Sequence, residues 1–151
     1  MNSRMTKQDY YDCINCTKII TGYPDLAINK RGFNLVSKYN NNSKSTKDDL
    51  QIEIIQFYTR QLVELHANDD IISEDVKSNY QDWKNNYTWY ADYIINKDFD
   101  GFINYALNNP DYKNRMANFY FLHYKIYVPI LEEFIKNAKV LVDKINEAID
   151  N

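Results

Sequence analysis

Apolar side chains recur at steps of three and four along most of this chain, the pattern of helices with one buried face. Leu50, Ile54, Phe57, Tyr58, Leu62 and Leu65 make one stripe. Val76, Tyr80, Trp83, Tyr87, Tyr90 and Ile94 make a second, and Tyr127, Leu131, Phe134, Ala138, Leu141 and Ile145 a third. Boundary signals frame these stripes. Thr6 with Asp9 opens a helix over TKQDYYDCINCTKII, which GYP at 22–24 ends. Ser45 with Asp48 opens the helix of the first stripe, HANDDI closes it, and Ser73 with Glu74 and Asp75 opens the next. DFDGFINYAL predicts a short helix, and Asn109 with Pro110 supplies a cap and first position for a last stretch running almost to residue 150. Pro129 should kink or break that stretch, because it lacks an N–H and its ring clashes with the preceding turn.

Two segments read either way. DLAINKRGFNLVSKYN fits a short helix interrupted at Gly32, or two strands forming a possible β-hairpin over residues 26–36. FYFLHYKIYV is apolar on every side and fits a buried helix or a strand. The polar loop 40–46, NNNSKST, is the main internal break. The expected architecture is a single all-α domain over residues 1–151, a bundle of five or six helices. Three Gly and three Pro are few for the turns of a many-stranded fold.

The same scarcity of Gly removes phosphate-cradling loops, and GK[ST], HExxH and GxSxG are absent from the sequence. No cofactor is implied. No run approaches the roughly 18 apolar residues of a membrane span. MNSRMTKQDYYD lacks the apolar core of a signal peptide, so a cytoplasmic location is expected. Cys13 and Cys16 in CINC fall inside the first predicted helix, not at its N-terminus where a redox thiol is activated. A structural zinc needs four ligands, and His66 and His123 lack finger-like spacing. The two cysteines are therefore weak metal candidates, expected to be half-buried helix residues.

RQLVELH, with Arg60 and His66, resembles in its spacing the Arg–His motif of HEPN-type ribonucleases, all-α domains of toxin–antitoxin systems. The resemblance covers seven residues and implies a catalytic pair. At roughly 100° per residue the two side chains stand about 120° apart, so joint action needs a local break in the helix or the partner of a homodimer. YVPILEEFIKNA and the upstream FINYALNNPDY are similar to the end of the thiopeptide-binding domains of some MerR-type regulators. That resemblance implies an aromatic bundle interior able to hold a small apolar ligand of antibiotic type.

Charge changes the picture most. The chain carries −3 overall, with eight Lys/Arg against three Asp/Glu in residues 1–47 but four against thirteen in residues 48–111. If the stripe from Val76 to Ile94 faces the core, Asp75, Asp82, Trp89 and Tyr93 lie on the opposite side within about 40° of one another. Trp89 and Tyr93 would then be exposed aromatic anchors, with Asp69, Asp70, Glu74 and Asp92 completing an acidic rim. Such a face attracts a basic protein and repels nucleic acid. The expectation is a small non-enzymatic binding module of the inhibitor, immunity or phage anti-defence kind, occluding a basic partner that handles nucleic acid and having no membrane role.

Overall fold

Helix α1 (Lys7–Asp12) starts from a capping box: Thr6 accepts from the Asp9 backbone N–H, and the Asp9 carboxylate accepts from the Thr6 N–H at 2.6 Å. The computed structural model describes residues 5–13, 15–38 and 46–150. A 3-10 turn (Cys16–Thr21) follows, then an extended stretch and α2 (Arg31–Val36). The hairpin alternative is not adopted: no strand occurs among the described residues, and Gly32 lies in the first turn of α2. Residues 40–45 of the expected loop, with Ser45 as a cap, lie outside the described residues.

Helix α3 (Thr46–Gln56) runs through a π segment (Phe57–Gln61) into α4 (Leu62–Asn86). Neither the stop at HANDDI nor the restart at Ser73 occurs. That stretch has no Gly or Pro, Asn68 bonds back to the Glu64 carbonyl at 2.8 Å, and Asp69 is buried, so packing carries the helix through a polar run. Two short helices, α5 (Tyr90–Ile94) and α6 (Asp100–Asn108), precede α7 (Pro110–Tyr120). Asn109 caps α7, accepting from the Asp111 N–H at 2.9 Å. A second π segment (Phe121–Tyr127) leads into α8 (Val128–Asp150). FYFLHYKIYV is thus helical, and α-geometry is broken just ahead of Pro129, where a widened turn takes up the ring and the missing N–H. Counted through the π segments, the described residues form six α-helical runs.

The chain divides into two compact units, one of residues Met1–Pro24 and Ile71–His123, the other of Asp25–Asp70 and Tyr124–Asn151. The core of the first is built on Trp83, fully buried and ringed by Tyr80, Trp89, Tyr93, Phe102 and Tyr105 at centroid distances of 5.8–6.4 Å, mostly edge to face. Tyr10, Cys16, Ile20 and Tyr112 close this cluster. In the second unit Phe57 stacks on Phe134 at 4.7 Å beside the buried Leu62, Leu65 and Leu141. Asn137 donates to Gln61, and Lys144 pairs with Glu53.

Trp83→Ala should cost about 3–5 kcal/mol, since it removes the largest fully buried side chain and the donor that the Tyr105 hydroxyl accepts from. Urea titration of the variant against the parent chain reads the loss.

Candidate functional site

Helix α4 ends at Asn86, and this reorganises the expected anchor face. Asn85 and Asn86 are weak helix formers, and Asn86 turns its amide back onto Asp82 at 2.6 Å. A turn over residues 87–89 resets the phase before α5, so Tyr93 is only 6% exposed while Ile94 is 45% exposed, the reverse of the expected wheel. The Tyr93 hydroxyl donates to the Thr17 carbonyl at 2.9 Å, and burial pushes its pKa up to about 12. Trp89 is half-buried and packs on Phe102 and Tyr105. Neither ring stands free on an acidic helix face.

The acidic rim is engaged as well. Asp82 pairs with Arg115 at 2.5 Å, and Arg115 also pairs with Asp111 at 2.7 Å and donates to Asn79. Asp75 accepts from Asn79 and Asn118, Glu74 pairs with Lys77, and Asp92 pairs with Lys97. Asp69 is buried, 3.6 Å from His66, and its bond with the Tyr127 hydroxyl helps burial raise that phenol. Asp100 holds Lys7 and the Tyr11 hydroxyl, so basic N-terminal and acidic middle segments meet inside one unit. Of the expected rim, Asp70 is a plainly exposed carboxylate without an ion pair among the described residues. Folding also cancels the charge blocks: the first unit has eight basic against nine acidic side chains, the second ten against twelve.

Cys13 and Cys16 form a disulfide. They are not two separate thiols inside one helix: α1 stops at Asp12 and Cys13 takes up an extended backbone at its cap. With both sulfurs joined, neither is a thiolate able to bind metal. Arg60 lies in the first π segment and His66 one turn into α4. Arg60 lines a cleft of about 280 Å³ with Glu64 and Glu133, whereas His66 turns to Asp69. The local break exists, and the two side chains meet different neighbours around it.

What Trp89 does line is an open groove of about 390 Å³ in the first unit. Tyr87, Trp89 and Tyr105 form its aromatic wall, with centroids 4.8–5.4 Å apart. Gly101 is required here, because a Cβ at that position would sit 2.3 Å from the Cβ of Trp89. Asn104 and Asn108, one turn apart on α6, edge the groove and are bonded to each other at 2.8 Å. That bond leaves Asn104 an amide N–H₂ and Asn108 an amide oxygen for a ligand. Asn109 and Pro110 close the end. All eight lining side chains are uncharged. The sequence signal for this groove was a Gly in the first turn of a helix followed by Asn at positions i and i+4, a weak one without its aromatic wall.

No family model, curated protein or solved structure matches the chain.

Beneath the groove runs a relay. Trp83 Nε1 donates to the Tyr105 hydroxyl at 3.1 Å, and Tyr105 donates to Asp111 at 2.6 Å. Burial raises the Asp111 pKa, but the bonds from Tyr105 and Arg115 outweigh it and hold the carboxyl below its usual range. Arg115→Met should cost about 2–4 kcal/mol, because Asp82 and Asp111 are left without their shared cation. Thermal melts measure it, and the loss should shrink in an Asp82→Asn/Asp111→Asn background.

Acid should destabilise the chain in two stages. Burial lowers the His123 pKa against the opposing pull of Asp75, so its contribution is present above about pH 6.5 and fades as pH falls through the depressed folded value. The lowered Asp111 contributes above about pH 3.9 and is lost below it. Urea midpoints across this range should show the first stage vanish in His123→Gln and the second flatten in Asp111→Asn.

Proposed function

We propose that this protein is a non-catalytic binding module that seats an extended segment of a protein partner in the groove walled by Tyr87, Trp89 and Tyr105. The observation that carries the reading is the pairing of an aromatic wall with the exposed amides of Asn104 and Asn108 in an open, uncharged depression. Ring faces take apolar or proline side chains, while the amide donor and acceptor match the N–H and C=O of a peptide backbone. The open shape suits a chain passing through it better than an enclosed small molecule. The interior of the first unit is filled by rings packed on one another. Occlusion of a partner, as inhibitors, immunity proteins and anti-defence proteins achieve it, is the mode of action this module would serve. Acidic steering toward a basic partner forms no part of the proposal, because most of the carboxylates expected to steer are held by neighbours. Cytoplasmic action fits if the Cys13–Cys16 bridge is a reversible dithiol.

A peptide library panned on the purified protein tests the reading. Bound peptides should lose about 30-fold or more in affinity with Trp89→Ala, the cost of an interface anchor. Asn104→Ala/Asn108→Ala, at two exposed positions, should weaken them about tenfold without altering the fold. Affinity should change little between low and moderate salt, whereas binding through carboxylates would fall steeply. Peptides that bind both variants as well as the parent chain would sink the groove. RNA cleavage abolished by Arg60→Ala would favour the nuclease instead.

A further inference from the structure

Helix α8 buries one face in its own unit and leaves an apolar stripe beside that face exposed. Phe134, Asn137, Leu141 and Lys144 face Phe57, Gln61 and Glu53. The apolar stripe is Val128, Ile135, Val142 and Ile149, four β-branched residues at strict seven-residue spacing. Ile135 is 44%, Val142 54% and Ile149 74% exposed. At roughly 100° per residue this stripe is centred about 90–150° round the helix from Phe134, Asn137 and Leu141. Leu131, Ala138 and Ile145 are half-buried along its near edge, three residues after each of the first three. A lone exposed Ile is ordinary on a protein surface. Seven apolar residues at alternating steps of three and four are the seam pattern of a coiled coil.

We infer that this seam pairs with the same seam of a second copy of the chain, antiparallel and about a two-fold axis. Charge beside the seam selects both the occupant and the direction. One flank is turned into the unit itself, through Phe134 and Leu141. The other holds Glu132 and Lys139, one heptad apart, exposed and with no ion pair recorded among the described residues. In a parallel pair each charged flank would meet the buried flank of its partner; only an antiparallel pair sets charged flank against charged flank. One register pairs six of the seven seam residues and the charged flanks together. It places Ile135 against the second copy's Ala138, Val142 against its Leu131 and Val128 against its Ile145. The same register sets Glu132 beside the second copy's Lys139 and Lys139 beside its Glu132. By two-fold symmetry each contact occurs twice, as an isologous interface requires.

Sedimentation of the full chain over a range of concentrations tests this. The expected species is a dimer of twice the 18.0 kDa chain mass. Ile135→Glu/Val142→Glu should give a monomer with an unchanged helical circular-dichroism spectrum. Glu132→Lys or Lys139→Glu alone should weaken the dimer about tenfold, since each turns two attractive pairs into two repulsive ones. Glu132→Lys/Lys139→Glu together should restore it. A parent chain that stays monomeric at every concentration overturns the proposal, as does a dimer that survives Ile135→Glu/Val142→Glu. Failure of the double charge swap to rescue overturns the antiparallel register. The swaps sit at exposed positions, so they remain readable even if the seam variant misfolds.

Discussion

An indole N–H cannot be taken out of water unless it finds an acceptor, and the first unit is organised around meeting that demand for Trp83. Tyr105 of α6 supplies the acceptor, and its hydroxyl donates in turn to Asp111 of α7. Asp111 is held in turn by Arg115, which lies over the Trp83 ring at 5.6 Å. The relay returns to its starting residue, so α4, α6 and α7 are each fixed by a bond that only the others satisfy. It also sets the groove, because Tyr105 is both the acceptor for Trp83 and part of the aromatic wall. A polar network inside an aromatic cluster has this consequence: it specifies one arrangement of rings where apolar packing alone would accept several.

Charge followed a similar logic. Along the sequence, positive and negative side chains are segregated in blocks, which reads as an acidic surface seeking a basic partner. In three dimensions the blocks are brought together by Lys7–Asp100 and by the two carboxylates on Arg115, leaving each unit close to neutral. The surface feature that survives is the uncharged groove. Recognition by rings and amides depends on shape and hydrogen bonding, and it is far less sensitive to ionic strength than recognition by field.

Both long helical runs contain a π segment, and each stands where the run must satisfy conflicting requirements. In the first, Phe57 turns into the core while Arg60 stays exposed; in the second, Tyr127 is buried just before Pro129 withdraws an N–H. Beyond the second segment α8 is free of such conflict. It buries one face in its unit and leaves an apolar heptad stripe beside that face.

Helical periodicity, the Thr6 and Asn109 caps and the proline at 129 are local properties, and the sequence alone determined the all-α class, those two caps and the core identities of Val76, Trp83 and Leu141. Side-chain direction beyond Asn86 was not legible, because one turn of unspecified angle decides the phase of everything after it, and the wheel that turned Trp89 and Tyr93 outward assumed no turn. The joining of Cys13 to Cys16 and the engagement of the carboxylates were hidden for a related reason. Each depends on which distant or re-phased group arrives opposite, as Asp100 does for Lys7 and Asp82 for Arg115, and that is settled by tertiary packing. Periodicity says which residues seek cover; only the folded chain decides what covers them.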